Sequence, residues 1–198
     1  MASTASRMSA PERRRQLLDV TRSIVARDGF HAVSIEAVAR EAGITRPVVY
    51  GHFTDLPGLL EALVDQESER ALGQLADVLP RDLAAGDPRE LLLGALRGYL
   101  AAVEAEPVTW RLVLMPPEGA PPVLRDRIAQ GRAAVVDQLA QAISPGLGAG
   151  RESPDPELTA RTLSALADEA ARLLLTDPGR YPADRLLTHA GWLLEALG

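Results

Sequence analysis

The chain contains two short helical patterns that are separated by only three residues, and this spacing leaves few folds open to its N-terminal quarter. The first pattern begins at Ser34 and spans SIEAVAREAG, and the second begins at Thr45 and spans TRPVVYGHF. Ser34 and Thr45 are both good helix N-caps. The connection is Ala42-Gly43-Ile44, and its glycine can adopt the left-handed backbone that a tight turn requires. Two short helices joined in this way are typical of a helix-turn-helix motif.

The rest of the sequence predicts further helices and no strands. Helical spacing of apolar residues, bounded by prolines and glycines, predicts helices at about 11–28, 55–79, 88–105, 107–114, 121–143, 156–176 and 182–197. Aromatic residues make up only 4% of the chain, so leucine, valine and alanine must build the core. We therefore predict an all-α protein of about nine helices, in which a three-helix unit precedes a larger C-terminal helical bundle.

Charge is distributed unevenly between these two parts. Residues 1–54 carry eight arginines against five acidic residues, a net charge of +3. Because the whole chain carries −6, the remainder carries −9. A basic head on an acidic body suits a protein that holds one face on nucleic acid. We predict a disordered arm at 1–10, a helix-turn-helix domain at 11–54 and a second helical domain at 55–198.

Residues 29–63 closely resemble the tetracycline-repressor (TetR) family of bacterial transcriptional regulators. The resembling positions are Gly29-Phe30, Ser34-Ile35, Val38-Ala39, Ala42-Gly43-Ile44, Val49-Tyr50, His52-Phe53 and Leu59-Leu60. The resemblance implies a cytoplasmic regulator, usually a repressor, that binds a double-stranded DNA operator as a homodimer. It also implies that the dimer forms through the last two helices, about 156–176 and 182–197, and that the C-terminal domain binds a small-molecule effector. The remaining sequence resembles the family only in size and helix number, so it identifies no ligand.

The second helix of the motif is predicted to read bases, because this helix enters the major groove in helix-turn-helix proteins. One of its faces carries Arg46, Pro47, Val48 and Gly51, and the opposite face, with Val49 and Phe53, is predicted core. Arg46 can donate two hydrogen bonds to guanine, and Pro47 or Val48 can touch a thymine methyl group. The alternative for Arg46 is a phosphate contact or a solvated charge.

Other residues of the motif are predicted to contact the DNA backbone. The resemblance implies that Tyr50 and His52 bind phosphates. Ser34 and Thr45 are helix caps first, but hydroxyl and N–H groups at helix N-termini also attract anions. The chain departs from the family where Leu56 stands in place of a common lysine, so one phosphate contact is missing. The arginine run at 13–15 either compensates for it or is simply solvated.

The C-terminal domain offers weaker evidence for a ligand site. Tyr99, Trp110, Arg111 and Met115 are candidates to line a cavity between the middle helices, with Arg111 or Glu169 as a polar anchor. Leucine, valine and methionine dominate the available walls, which favours a largely apolar ligand. The alternative is that Trp110 is ordinary core and that Arg111 is exposed.

Two other functions compete with that of a ligand-responsive regulator. An enzyme is disfavoured because the three histidines are far apart, no phosphate-binding glycine loop is present, and neighbouring carboxylates such as Asp168 and Glu169 point in different directions on a helix. We expect no cofactor and no metal, and no apolar run is long enough to cross a membrane. A dimeric DNA-binding regulator that needs no ligand remains the stronger alternative.

Overall fold

The computed structural model describes residues 8–116, 122–145, 153 and 155–196, and these residues form helices and connecting segments without any strand. The α-helices are α1 (Ala10–Asp28), α2 (Ile35–Glu41), α3 (Arg46–Tyr50), α4 (Leu56–Val78), α5 (Pro88–Ala105), α6 (Pro107–Leu114), α7 (Pro122–Ile143), α8 (Pro156–Thr176) and α9 (Ala183–Ala196). Two 3-10 turns lie at Phe30–Ala32 and Leu83–Ala85. The all-α prediction is confirmed.

Local capping chemistry fixes the start of α1. The Ser9 hydroxyl accepts a hydrogen bond from the Glu12 amide, and the Glu12 carboxylate accepts one from the Ser9 amide at 2.8 Å. This reciprocal arrangement is a capping box, which satisfies two amides that the helix leaves without partners. The predicted arm at 1–10 is therefore too long at its C-terminal end, since Ser9 and Ala10 belong to the helix start. Residues 1–7 lie outside the described part of the chain.

The third helix is shorter than its sequence pattern predicts. The pattern extends to Phe53, whereas α3 ends at Tyr50 and residues 51–52 form a turn. The Phe53 amide still donates to the Val49 carbonyl at 3.0 Å, so the chain keeps one helical hydrogen bond across the turn. This bond holds Phe53 on the same face as Val49.

The chain divides into two compact units. The first comprises the described residues of Met1–Gln66 and Pro117–Arg125, and the second those of Glu67–Pro116 and Asp126–Gly198. The division falls within α4, so this continuous helix contributes its first half to one unit and its second half to the other. In the first unit, the apolar faces of α1 to α4 supply the fully buried side chains, among them Leu17, Val38, Val49, Leu59 and Leu63.

The second unit is built around α5. This helix packs against α8 and α9, and α6 packs against α8. One buried cluster contains Ala71, Tyr99, Leu100, Val103, Trp110, Leu114, Ala171, Leu174 and Leu175. A second cluster contains Leu83, Val136, Leu139, Ala142, Ile143 and Ala160. Within the described ranges, no helix combines the length and the apolar character that crossing a bilayer requires.

Candidate nucleic-acid interface and ligand cavity

The turn between α2 and α3 has the geometry that its glycine predicts. Gly43 has a φ of 67°, in the left-handed region that residues with a side chain rarely adopt. The Ile44 amide donates to the Ala39 carbonyl at 2.9 Å, which closes the end of α2 and turns the chain towards α3. At the start of α2, the Ser34 hydroxyl accepts from the Ala37 amide at 3.0 Å. Thr45 occupies the N-cap of α3 without a side-chain capping bond.

One face of α3 is held in the core of the first unit. Val49 is completely buried and Phe53 is 4% exposed. Ile35 and Val38 of α2 are also buried, and α2 packs against α3. Burial of these apolar side chains fixes the rotation of the short helix about its axis. The rotation in turn determines which residues α3 presents to solvent.

The opposite face of α3 is exposed over a continuous stretch. Arg46, Pro47, Val48, Tyr50 and Gly51 are all exposed, with Val48 at 39% and Tyr50 at 52% of full exposure. Ser34 and His52 are half-buried, and Thr45 is exposed. Exposure of a large apolar side chain such as Val48 is unfavourable in water. Unless such a side chain is isolated, its exposure marks a surface that contacts a partner. The predicted DNA-contacting residues therefore lie on one surface around α3.

Arg46 is paired with an acidic side chain of α2. Its Nη1 lies 2.7 Å from Oε1 of Glu36, and both side chains are more than half exposed. The hydrogen bond from Arg46 lowers the pKa of Glu36, and the same bond raises the pKa of Arg46. The guanidinium has further N–H donors beyond this pair, so it can still offer hydrogen bonds to another group. Sequence reasoning missed Glu36, because residues 36 and 46 lie on different helices.

A second arginine lies against the end of α3. Nη1 of Arg14 donates to the His52 carbonyl at 3.3 Å, and its guanidinium carbon is 4.4 Å from the centroid of the Phe53 ring. A cation over an aromatic face is attracted to the ring. Within the arginine run at 13–15, Arg14 is therefore placed beside the predicted phosphate contacts, whereas Arg13 bonds Gln16. The sequence suggests the run but does not distinguish its members.

The start of α4 contains an acidic group in this region. The Asp55 carboxylate accepts from the Gly58 amide at 2.8 Å and so satisfies one of the free amides of the first helical turn. Leu56 is half-buried. The lack of a phosphate contact at Leu56 stays a prediction.

The second unit contains a cavity of about 360 Å³ with mostly apolar walls. Three of the predicted ligand residues line it, namely Tyr99, Trp110 and Glu169. The rings of Tyr99 and Trp110 meet edge to face, with centroids 4.9 Å apart, and the Trp110 Nε1 donates to Gln74 at 3.0 Å. Trp110 thus belongs to the core and to the cavity wall at once.

Two predicted ligand residues lie elsewhere. Arg111 is exposed and donates from Nη2 to the Leu175 carbonyl at 3.2 Å. Met115 follows the end of α6, where its sulfur lies 3.8 Å from the Thr176 hydroxyl oxygen, whose proton is donated to the Arg172 carbonyl at 2.7 Å. Neither residue is among those that line the cavity. The cavity lining instead includes Asp168 and Arg132, which sequence reasoning did not select. Among the described residues, no group of three or more potential metal ligands is present.

Comparison with known proteins relates the N-terminal segment to a described family. Residues 17–63, which span most of the first unit, match the family model described as bacterial regulatory proteins of the tetR family. The N-terminal segment of the chain matches the TetR family. Its members are DNA-binding transcriptional regulators, as the resemblance of residues 29–63 predicts.

The similarity extends beyond the N-terminal segment. The transcriptional activator FasR of Mycolicibacterium smegmatis is 24% identical over 172 residues, which are 87% of this chain and 76% of that protein. A TetR-like regulator from Rhodococcus sp. RHA1 is 23% identical with a TM-score of 0.72, covering 96% of this chain and 99% of that one. A protein from Saccharomonospora viridis, solved in complex with choline, is 24% identical with a TM-score of 0.71, covering 93% and 96%. Both structures share the fold of this chain.

Proposed function

We propose that this protein is a TetR-family repressor that binds an inverted-repeat operator as a homodimer and is released by a small, largely apolar ligand. The observation that carries the DNA-binding part is the exposed face of α3, on which Arg46, Pro47 and Val48 stand opposite the buried Val49. The proposed role is regulatory rather than catalytic, and a protein acting on bacterial DNA works in the cytoplasm. In this proposal, residues 11–54 bind DNA, and residues 55–198 bind the ligand and form the dimer.

Each exposed residue on the DNA-contacting face of α3 has a proposed role. Arg46 reads guanine with the N–H groups that Glu36 leaves available, and Pro47 or Val48 contacts a thymine methyl group. Gly51 allows the DNA backbone to approach the end of α3 because it carries no side chain. These contacts supply the sequence preference of one half-site.

Phosphate contacts are proposed to position the reading helix. Tyr50, the last residue of α3, and His52, just after it, bind the DNA backbone at one end of the helix. Ser34 and Thr45 contact the DNA backbone at the starts of α2 and α3. Arg14 adds positive charge beside His52. Phosphate contacts carry no sequence information directly, so their loss should weaken binding to every sequence.

Matched substitutions test these assignments. Arg46→Ala should relax the base preference and reduce the binding free energy by about 1–3 kcal/mol per half-site. Tyr50→Phe should reduce the affinity for operator DNA and for scrambled DNA equally. Arg89→Ala removes the same charge from α5 and should change neither. Binding is measured by fluorescence anisotropy at fixed salt, because phosphate contacts make affinity depend on salt. Equal loss of affinity for operator and scrambled DNA in Arg46→Ala would identify Arg46 as a phosphate ligand instead.

Exposed apolar side chains on the last two helices support a dimer. Leu166 of α8 is 51% exposed, Trp192 of α9 is 59% exposed, and α9 has no fully buried residue in the single chain. A helix with this much unburied apolar surface is suited to packing against a second copy. One short reading helix contacts too few base pairs for useful specificity, so two-fold symmetry implies an inverted-repeat operator.

Disruption of this surface tests the dimer. Leu166→Glu should produce a monomer by light scattering at micromolar concentration and abolish operator binding, and Ala133→Glu on the exposed side of α7 should do neither. A Leu166→Glu protein that remains dimeric and binds an inverted repeat would show that the dimer forms through another surface.

The cavity supports the sensing part of the proposal. Its walls come from α4 to α9, and α4 begins in the reading unit. A ligand that shifts the C-terminal half of α4 can alter the placement of the reading helices, and a coupling of about 1–3 kcal/mol changes DNA affinity by roughly 5–150-fold. The FasR relative is a transcriptional activator, so activation is the alternative to repression for this chain.

Trp110 provides a direct test of ligand binding, once Trp192→Phe has removed the other tryptophan signal. Compounds that bind should change Trp110 emission at the concentrations that release operator DNA. They should also raise the melting temperature, because a ligand that binds only the folded state stabilises it. If no compound in a broad apolar library produces any of these effects, the alternative of a ligand-independent regulator is favoured.

A further inference from the structure

The mainly apolar cavity has one polar end, which is formed by the partly buried Asp168 of α8. Oδ1 of Asp168 accepts from the Tyr99 hydroxyl at 3.2 Å, and Oδ2 lies 3.0 Å from Nη2 of Arg132. The Asp168 side chain is 17% exposed, whereas that of Arg132 is 47% exposed. All three residues line the cavity. The carboxylate is thus the inner group of this cluster, and Arg132 extends from it towards solvent.

The cluster is balanced in charge. Arg172 lies 3.9 Å from the Asp168 carboxylate, and its Nη1 is 3.3 Å from the carboxylate of Glu169. Two arginines therefore face two acids. Arg172 is not among the lining residues, and the remaining charged side chain on the described lining is Arg127, which is exposed, as is His189. Each of the two arginines and two acids already has an opposite charge within 4 Å, so none requires a counter-charge from a ligand.

We propose that the effector is a neutral hydrophobe with one hydroxyl group, an apolar alcohol, whose hydroxyl binds at Asp168, Tyr99 and Arg132. This proposal rests on the proposed sensing function and specifies the ligand class of the same cavity. A charged head group must either break the Asp168–Arg132 pair or enter the low-dielectric end of the cavity without compensation. Both are unfavourable for a buried ion.

A hydroxyl, in contrast, uses the hydrogen-bonding capacity that the cluster retains. A carboxylate offers about four lone-pair sites, and the described contacts of Asp168 leave room for one more donor. The Tyr99 hydroxyl donates to Asp168, so its oxygen can accept a hydrogen bond, and Arg132 has further N–H groups. Burial, partly opposed by Arg132, raises the pKa of Asp168, which agrees with a site that resists additional negative charge.

Three probes of equal chain length test the ligand class. Purified protein carrying Trp192→Phe is titrated with 1-decanol below its solubility limit, and with decanoate and decyltrimethylammonium below the concentrations at which they form micelles. We expect 1-decanol to change Trp110 emission and raise the melting temperature, with an apparent Kd at least about tenfold lower than either ion. Tighter binding of either charged probe overturns the assignment of a neutral ligand but leaves the sensing function intact. Absence of binding by all three overturns the assignment and counts against the sensing function.

Charge variants of the cluster give a second, independent readout. Asp168→Asn removes the negative charge and leaves the arginines in excess, so decanoate should gain affinity relative to 1-decanol. Arg132→Gln leaves the acids in excess, so decyltrimethylammonium should gain instead. Glu157→Gln, on the exposed first turn of α8, removes one negative charge as Asp168→Asn does and should leave the order of the probes unchanged. Circular dichroism verifies folding, and Arg132→Gln keeps the test valid if Asp168→Asn does not fold.

If neither ion gains affinity relative to 1-decanol in Arg132→Gln or Asp168→Asn, the head group does not contact this cluster. The alcohol, if bound at all, is then held by the apolar walls alone.

Discussion

Replacement of Gly98 by alanine should destabilise the second unit, although alanine is the better helix former. Gly98 lies within α5, and a Cβ added there would be 2.5 Å from Cγ1 and 2.9 Å from Cβ of Val78. Non-bonded carbon atoms are normally about 3.5–4.0 Å apart, so α5 must move away from Val78 at the end of α4 by about 1 Å. Overpacking of this kind costs about 1–3 kcal/mol, and two contacts this short place Gly98→Ala near the upper end.

The helix propensity of alanine offsets part of this cost. Glycine inside a helix is about 1 kcal/mol less favourable than alanine, so the net loss for Gly98→Ala should be about 2 kcal/mol. Gly94 provides a matched control, because it lies one turn earlier in α5 and a Cβ added there would meet no atom within 4 Å. Gly94→Ala should therefore stabilise the protein by about 0.5–1 kcal/mol.

Urea unfolding followed by circular dichroism measures both variants, at one fixed protein concentration because dimerisation contributes to stability. Adding Val78→Ala to Gly98→Ala should recover part of the loss, since Cγ1 is removed while Cβ at 2.9 Å remains. A double-mutant cycle should give a coupling free energy of about 1 kcal/mol or more. If Gly98→Ala is as stable as Gly94→Ala, the close approach of Val78 to α5 is wrong.

Three further substitutions test other contacts. Thr109→Val removes the hydroxyl that donates to the buried Glu67 carboxylate and should lower the free energy of unfolding by about 1.5–3 kcal/mol, whereas Thr109→Ser should have little effect in the same urea titration. Gly43→Ala places a side chain at a φ of 67° and should cost about 1–2 kcal/mol, with a smaller loss for Gly43→Asn. The hydrogen bond from Arg27 lowers the pKa of Glu41, so this carboxylate stabilises the folded state above its ordinary pKa of 4.5 and loses that effect as the pH falls through its lower folded value. The difference in melting temperature between the parent protein and Glu41→Gln should accordingly shrink on acidification, and a difference that persists when Glu41 is protonated would contradict this.

Much of the DNA-reading unit is predictable because its determinants are local. The N-cap at Ser34, the left-handed glycine at residue 43 and the helical spacing of Val49 and Phe53 all act within a few residues of themselves. These features specify two short helices, their connection and the face that is buried. The exposed face that carries Arg46 follows from the same spacing, since burial of one face of a short helix leaves the opposite face exposed to solvent.

Errors at helix boundaries also have local causes. Ser9 is one of three serines in the small, polar segment 1–10, so no pattern marks it as a helix cap and the sequence predicts an arm that includes it. Its reciprocal bonds with Glu12 become decisive only once the helix exists. The predicted end of α3 is three residues late because Phe53 keeps helical spacing through a turn that is no longer helix.

Partners that are distant in sequence cannot be predicted in this way. Glu36 meets Arg46, Arg14 meets the end of α3, and Asp168 joins Tyr99 across 69 positions of sequence. Arg111 has the chemistry of a ligand anchor, yet the rotation of α6 turns it to a backbone carbonyl outside the cavity. Residue types and local spacing determine which helices form and which side of each is apolar. The register between packed helices depends on side chains that meet only after folding, and it is this register that selects Asp168 rather than Arg111 as the polar group of the cavity.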